Sequence, residues 1–464
     1  MSGLQRVRGE DLIFGWGRER LPGLPDYLSP VHYLRLQEDG LEGLETFSRA
    51  GLPSGRMVGG FQDQDLPGPA SGPIALELLM QPDAHLLEMF EHFAGGDLTL
   101  NEPVVGEVWE TIFGYDTAQQ EIRARRAISG HSLRSRQSYM IGLEEMAMTI
   151  KGDAPVTMMV KGIKGQGGHM GPPEAAASNT GGFFGPCVRG IPRADRDPGD
   201  IWVWCTGTSP LRFAAGYFET DTPTLPGAPA KTFGIDYGIS GEGRFFNLRD
   251  HTGLDMGTIG RNATHEPVEI AFVGQPEDHD GAISVGDAWR YRLSPFPIVP
   301  TYTPDTQILT YANFLLEWRR SGSGDSFEKI DSDEVTVSIK RELSTSRRGN
   351  YLGRMGLAKN PTYEISFPHD YTEETFRDFE RQQIPVEIRA SLTGAQIGSD
   401  PALDHRYLIE LTCPKVQLKA PVDLKTGVLG VAASGMARPG DSLEPPMTVR
   451  VVHTEPFAAW TPPA

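Results

Sequence analysis

Two stretches of the chain alternate apolar and polar residues in the same way. YMIGLEEMAMTIKG (139–152) and YLIELTCPKVQLKA (407–420), aligned without gaps, share four identities. Alternation with a period of two predicts a β-strand in each stretch. The identities are Tyr139/Tyr407, Ile141/Ile409, Leu143/Leu411 and Lys151/Lys419, and apolar residues also coincide at Met140/Leu408, Met148/Val416 and Ile150/Leu418.

A strand pattern and a helix pattern precede the first of these stretches. IALELLM (74–80) has a strand-like composition, and Pro82 follows it. Proline suits a first helical turn, and Gly95 suits the position after a last turn. Residues 81–96 are therefore predicted to form a short amphipathic helix. Its apolar face holds Leu86, Leu87, Phe90 and Phe93.

The same order precedes the second stretch. PTYEISFP (361–368) alternates like a strand and ends in proline. In HDYTEETFRDFERQQ (369–383), Thr372 is the predicted N-cap, and Phe376 and Phe379 share one helical face. The recurrence of strand, proline, helix and strand predicts an internal duplication of a β-rich domain with one short helix.

The duplication divides the chain into four parts. One copy is predicted at 1–165 and the other at 299–464, with segments 74–152 and 361–420 superposing. Residues 166–199 are rich in Gly and Pro and predict a loop. Strand patterns return in IWVWCTG, RFAAGYFET, VEIAFVG and ISVGDAWRYRL, which predicts an inserted β module at 200–298. The expected fold class is mainly β.

Composition agrees with many short strands. The chain has 464 residues, with 54 Gly and 37 Pro, a combination that suits turns and loops better than long helices. Its formal net charge of −18 argues against binding a phosphate backbone by charge neutralisation. The three cysteines show no paired spacing, which argues against a disulfide framework, and Cys205 and Cys413 are expected to be small buried apolar groups.

The N-terminal sequence and the hydropathy predict a soluble chain made in the cytosol. MSGLQRVRGEDL lacks the apolar core of a signal peptide. No run approaches the roughly 18 apolar residues that a membrane helix needs.

Several stretches have the residue types of functional motifs without their spacing. KGIKGQGGHMG (161–171) lacks the phosphate-loop pattern, and GISGEG (238–243) lacks the nucleophile elbow. DHTGLD (250–255) and PEDHDG (276–281) match neither a calcium loop nor a zinc motif, and DSDE (331–334) predicts a charged turn. No catalytic, cofactor-binding or metal-ligating residue is predicted, no cofactor is expected, and the chain is not expected to be an enzyme.

Taken together, these stretches resemble tail tube proteins of long-tailed bacteriophages, in the form where the tube domain is duplicated. The resemblance covers 10–165 and 300–464. It is carried by FGWGRERLPGLPDYLSPVHYLRL, HLLEMFEHFAGG and YMIGLEEMAMTI in the first copy, and by GRMGLAKNPTYEISFP, VEIRASLTG, LTCPKVQLKAPVDLKTGVLGVAASGMA and MTVRVVHT in the second. The middle module resembles a small β domain of phage structural proteins, with a hairpin carrying Gly286-Asp287-Ala288-Trp289.

The resemblance implies two tube domains of the β-sandwich or barrel type that assemble into rings. Three chains would form a pseudo-sixfold ring, and stacked rings would form a tube in the virion tail. The lumen would pass DNA and the tape measure protein, while tail terminator and distal tail proteins would contact the tube ends. The channel is expected to be net negative, the module 200–298 to be dispensable for ring formation, and no membrane to be involved.

Two other classes of function remain open at the level of sequence. One is a capsid decoration or baseplate protein built from similar β domains, which would not polymerise into a tube. The other is a carbohydrate-active β-rich enzyme, which would need two carboxylates facing each other across a cleft.

Overall fold

The structure is a computed structural model, and a defined set of residues is described in it. These residues are 13–21, 24–25, 31–34, 36–39, 46–51, 65–82, 84–94, 97–115, 121–122, 125–131, 134–152, 155–164, 167–168, 174–176, 178–179, 187–189, 200–208, 211–218, 231–236, 246–247, 269–271, 284–292, 309–348, 351–370, 375–398, 405–419, 422–425, 428–439 and 444–457. Residues 13–168 are called the first half below, 174–292 the middle region and 309–457 the second half.

The described residues form mainly antiparallel strands with two short helices, which confirms the mainly β fold class. The strands of the first half are β1 (Ile13–Leu21), β2 (Leu24–Pro25), β3 (His32–Leu34), β4 (Leu36–Asp39), β5 (Thr46–Gly51), β6 (Asp65–Leu79), β7 (Asp97–Val104), β8 (Val108–Tyr115), β9 (Glu121–Ile122), β10 (Arg125–His131), β11 (Arg134–Lys151), β12 (Thr157–Lys164) and β13 (Gly167–Gly168). Those of the middle region are β14 (Glu174–Ala175), β15 (Cys187–Arg189), β16 (Asp200–Thr208), β17 (Leu211–Phe218), β18 (Lys231–Asp236), β19 (Phe246–Asn247), β20 (Glu269–Ala271) and β21 (Ala288–Arg292). Those of the second half are β22 (Phe314–Arg320), β23 (Glu328–Lys329), β24 (Glu334–Arg348), β25 (Tyr351–Asp370), β26 (Val386–Gln396), β27 (Arg406–Lys419), β28 (Val422–Lys425), β29 (Val428–Ala437) and β30 (Met447–His453).

Both helices lie where the sequence predicts them. They are α1 (Ala84–Ala94) and α2 (Thr375–Gln382). The apolar face predicted for α1 is buried, and Phe376 of α2 is 2% exposed. The predicted cap Thr372 and the terminal Gly95 lie outside the described residues.

The two halves order their strands alike. In the first half, β1 pairs with β10, β10 with β11, β11 with β12, and β12 with β6. In the second half, β22 pairs with β26, β26 with β27, β27 with β29, and β29 with β25. β4 and β5 flank β6, as β24 flanks β25. The first half additionally contains the β7–β8 hairpin between its helix and β10.

β11 switches faces twice along its length, first between Ser138 and Ile141, where its register with β10 shifts, and again after Leu143. Ile141 and Leu143 are buried, and the next core-facing residues include Met148 and Ile150, which have the opposite parity. The register with β12 shifts at Glu145, so β11 carries one extra residue there. Such a bulge restores the apolar side chains to the core after the parity change.

β27 shows the same switch. Ile409 and Leu411 are buried before the change, and Val416 and Leu418 are buried after it. The register with β26 shifts between Cys413 and Val416, which places a bulge in β27. In both stretches, the change from odd to even buried positions corresponds to a bulge, and β11 has an additional bulge against β10 between Ser138 and Ile141.

Three ladders join the halves into one sheet, and the shortest pairs Glu121 and Ile122 of β9 with β25. β11 pairs with β24 from Glu145↔Lys340 to Lys151↔Glu334. β8 pairs with β30 over seven residue pairs, which begin at Trp109. Residues of both halves belong to one continuous hydrophobic cluster, so the halves share a core.

The middle region contains two smaller sheets. One has the order β14-β21-β16-β17-β18 and the other β15-β20-β19. β14 and β15 come from the range predicted as a loop, 166–199, and pair with strands of the predicted module. Within the described ranges, these two sheets share no ladder with the large sheet. At the Gly-Asp-x-Trp pattern, Gly286 has a φ of 99° in a turn, and Asp287 accepts a hydrogen bond from Ser284 N at 2.9 Å.

Candidate assembly surface

The stretches considered for chemistry fold as ordinary strands and turns where they are described. Residues 161–164 and 167–168 lie in β12 and β13, and Asp331 lies in a turn, 2.7 Å from Lys329 Nζ. The stretches 238–243, 250–255 and 276–281 lie outside the described residues. The described part of the chain contains no group of three or more His, Cys, Asp or Glu side chains that could hold a metal ion.

One shallow cavity of about 280 Å³ lies beside the β7–β8 hairpin. Both glutamates that line it have partners: Glu102 Oε1 accepts from Gly106 N at 2.7 Å, and Glu110 has Arg450 Nε 2.5 Å away and accepts from Asn101 Nδ2 at 2.8 Å. Burial opposes ionisation of Glu110, but these hydrogen bonds outweigh it and lower its pKa below the usual value. The Glu110 carboxylate is therefore charged and forms an ion pair that links β8 to β30.

Both described free cysteines are buried, as predicted. Cys205 and Cys413 are 1% and 2% exposed, and both are free thiols. Burial raises the pKa of the Cys413 thiol to about 12. A thiol of this kind stays protonated and packs as a small apolar group.

The face of the large sheet that points away from the core carries a row of alternating charge. Glu145 of β11 pairs with Lys161 of β12 at 3.0 Å and faces Lys340 of β24 in register. Lys340 continues the row to Glu364 of β25 at 2.7 Å, and this hydrogen bond raises the lysine's pKa. The row crosses from the first half into the second and makes this strip of the face hydrophilic and locally neutral, while Met159 and Met436 are exposed on the same face.

Further pairs of the same kind lie on this face. Lys151 Nζ is 2.9 Å from Glu334 Oε2 across the β11–β24 ladder, and Lys359 pairs with Glu342 in the β24–β25 hairpin. These side chains are between 39% and 74% exposed, so each pair contributes at most about 1 kcal/mol. These ion pairs act mainly by fixing the cross-strand register and by neutralising the charge of the lysines.

Arg341 anchors the junction from the core side. Its side chain is buried, with Nε donating to Leu143 O at 2.7 Å and Nη1 to His92 O at 3.0 Å. The guanidinium lies 4.4 Å from the ring centre of Phe93. Burial lowers the pKa of Arg341 to about 9, so it remains charged near neutrality. One residue of β24 thereby binds both β11 and α1 of the other half.

His453 occupies the second junction. It is fully buried in β30, and its Nε2 lies 2.9 Å from Thr111 Oγ1 on β8. Burial lowers the pKa of His453 to about 4, against a weaker opposing hydrogen bond at the Glu455 backbone. The imidazole is therefore neutral at physiological pH.

A buried ion cluster fixes α1 to β1 and β10. Glu88 Oε1 lies 2.8 Å from Arg18 Nε, and Glu91 Oε2 lies 2.6 Å from Arg125 Nη2. Burial raises the pKa of Glu88, against the attraction of Arg125 and Arg18. Arg18 belongs to the Gly-Trp-Gly-Arg-Glu stretch of β1, and nothing in the local sequence indicated its buried partners on α1.

Several strand edges of the two halves are open among the residues that the structure describes. β7 pairs only with β8, and β4 and β5 pair only with β6. β26 covers one edge of β27 as far as Val416, and no described strand continues along that edge beside Gln417, whose other edge pairs with β29. Open edges expose unpaired backbone groups and are sites for pairing with another chain.

Neither described helix is long and apolar enough to cross a membrane. The chain matches none of the known protein families and none of the curated proteins with which it was compared.

Proposed function

We propose that the chain is a virion structural protein that assembles into stacked rings, which form the tail tube of a long-tailed bacteriophage and conduct its genome. The observation that carries the proposal is the junction of the two halves. Three ladders merge them into one sheet, and open strand edges remain on both halves among the described residues. A unit with open edges on both halves is suited to head-to-tail assembly.

An internal duplication is part of the proposal. It is supported by the common order of strand neighbours in the two halves and by the change from odd to even buried positions that accompanies a bulge in both β11 and β27. Equivalent residues of these strands also agree in burial: Ile141 and Ile409 are both fully buried, and Lys151 and Lys419 are both exposed. With two similar units per chain, three chains would supply six units to a ring.

The hydrophilic sheet face is the proposed wall of the lumen. Both described helices pack on the opposite, core-facing side, so no described helix covers this face. A passing DNA duplex is held by lysines that release counterions. Here Lys151, Lys161, Lys340 and Lys359 are each paired with a glutamate, so they offer little net attraction.

Electron microscopy of the purified chain tests the proposal. Negatively stained samples over a range of concentrations should show rings or tubes, and mass photometry should show trimers or their multiples. A chain that stays monomeric at every concentration, with an intact circular dichroism spectrum, would overturn it.

DNA binding provides a second test of the same proposal. The assembled protein is expected to show no appreciable affinity for duplex DNA near physiological salt. Fluorescence anisotropy with labelled duplex at several salt concentrations measures this. Tight binding that weakens steeply with salt would indicate a cationic wall and a DNA-packaging role.

A further inference from the structure

The methionine side chains that the structure describes fall into two groups by solvent exposure. Met159 on β12 is 40% exposed, and Met436 on β29 is 45% exposed. The others are at most 4% exposed and belong to the shared core: Met80, Met89, Met146, Met148, Met158 and Met447. Methionine usually fills irregular gaps in cores, so packing does not account for the two exposed thioethers.

Alternation along the strands produces this difference. Met158 and Met159 are neighbours in β12, so the first side chain enters the core and the second points to the opposite face of the sheet. Met436 points to that outward face from β29, whereas Met447, the first residue of β30, is fully buried. The exposure of the two thioethers is therefore fixed by strand register.

Met159 and Met436 lie in one row across the sheet. Successive ladders place side by side Glu77, Met159, Ala147, Ser338, Glu364 and Met436. Each methionine has a glutamate in register on one side, Glu77 beside Met159 and Glu364 beside Met436. The first half and the second half thus each present one exposed thioether in a similar setting.

We propose that Met159 and Met436 are a pair of modification sites, at which hydrogen peroxide oxidises the thioether to a sulfoxide. A lone pair of the sulfur attacks one peroxide oxygen, the S–O bond forms as the O–O bond breaks, and the other oxygen leaves as water with both protons. Sulfur loses two electrons and the peroxide gains them, so the step needs no further reactant. The inference goes beyond the proposed function and concerns the chemistry of the folded chain itself.

The modification changes the polarity of the row without disturbing the core. A sulfoxide is polar and accepts hydrogen bonds. At Met158 or Met447 it would bury an acceptor without a donor, which destabilises the fold. At Met159 and Met436 water hydrates the new oxygen. The exposed pair can therefore be oxidised while the protein stays folded, and the sheet face loses apolar surface at both positions.

Peptide mapping by mass spectrometry tests the sites after brief treatment of the folded chain with hydrogen peroxide. Trypsin cleaves after lysine and arginine but not before proline, so Met158 and Met159 share the peptide 152–161, and Met436 and Met447 share the peptide 426–450. Each exposed methionine thus has a buried control in its own peptide. Met159 and Met436 should be oxidised at least about tenfold faster than these controls, and at rates within about twofold of each other.

Equal oxidation of the exposed and the buried methionine within either peptide of the folded chain would overturn the proposal. In concentrated urea all four should react at similar rates, because burial is lost. The double variant Met159→Leu, Met436→Leu should fold normally and form no sulfoxide rapidly in either peptide. The wild type oxidised at both sites should keep its circular dichroism spectrum and its urea midpoint, and a lowered midpoint would contradict the stated effect on the row.

The same measurement separates this inference from the proposed assembly. If the chain forms no rings and both exposed methionines react rapidly, the modification sites stand and the tube proposal falls. If both react rapidly in the separated chain and are protected in rings, the sites stand, but the hydrophilic face lies between subunits rather than on the lumen. Slow oxidation of Met159 and Met436 in the separated, folded chain would overturn the sites whatever the chain assembles into.

Discussion

Replacing Arg341 by methionine should weaken the junction between the halves more than any exposed charge replacement. The variant removes the donor to Leu143 O and His92 O and the cation over the Phe93 ring. Each buried carbonyl that loses its donor costs about 1–3 kcal/mol, and a desolvated cation–π contact adds about 2 kcal/mol. Release of the desolvated guanidinium offsets part of this loss. We expect a net destabilisation of about 2–3 kcal/mol.

Urea unfolding followed by tryptophan fluorescence measures the effect. With an m value of about 3 kcal/mol per M, a loss of this size lowers the unfolding midpoint by about 0.7–1 M. Hydrogen exchange should also rise first in β11 and β24, because Arg341 ties one to the other. Since a chain of this size can depart from two-state behaviour, the exchange pattern is the more specific readout.

Arg389→Met is the matched control. Arg389 also stacks on an aromatic ring, 4.1 Å from the centre of Phe327, and pairs with Glu317 at 2.6 Å. Its side chain is 31% exposed, so its loss should cost less than about 1 kcal/mol. Equal midpoints for the Arg341 and Arg389 variants would refute the reasoning that burial at the junction sets the cost.

Three further predictions concern acid sensitivity, packing and the middle region. The pKa of His453 is about 4 in the folded state against 6.5 for the free group, so the folded state favours the neutral imidazole. The stability that depends on this neutral form is complete above pH 6.5 and falls by up to about 3 kcal/mol as the pH is lowered toward 4. His453→Gln should therefore flatten the stability–pH curve in this range. Gly162→Ala should destabilise by about 2 kcal/mol or more in urea unfolding, because a Cβ there would lie 2.1 Å from a backbone oxygen of β11, whereas Gly324→Ala, in open space, should change little. Deleting residues 174–298 should leave ring formation intact by electron microscopy, whereas deleting only 200–298 should expose β14 and β15 without their partners and promote aggregation.

The local elements could be predicted because their signal is local. Alternation in β11 and β27 and the helical spacing of Leu86 and Phe90 depend on a few neighbouring residues, and the structure buries the positions so indicated. The sequence also contains the change from odd to even apolar positions between Leu143 and Met148, which corresponds to the register shift at Glu145 in the structure. The short strands β14 and β15, by contrast, lie in a Gly/Pro-rich range whose composition indicated only a loop.

The contacts between distant elements could not be predicted in this way. The β8–β30 ladder and the burial of Arg341 depend on which strands become neighbours. The alternation of apolar residues within a strand does not indicate its partner when that partner is distant in sequence. The sequence alone would place Arg18, Glu88 and Arg125 on the surface. Their charges can be buried because Glu88 lies close to both arginines, and only the fold brings these residues together. The open strand edges also depend on this long-range pairing, because the order of the strands in the sheet decides which strands lack a second neighbour.

The β8–β30 ladder has a consequence for how the chain is made. Thr111 and His453 are 342 residues apart, so at a synthesis rate of about 5–20 residues per second, β8 waits roughly 20–70 s for its partner strand. During that interval its edge is exposed to other nascent chains. Ladders of such high contact order also form slowly. Folding of this protein is thus expected to finish only after synthesis of β30, and overexpression at lower temperature or with added chaperones should raise its soluble yield.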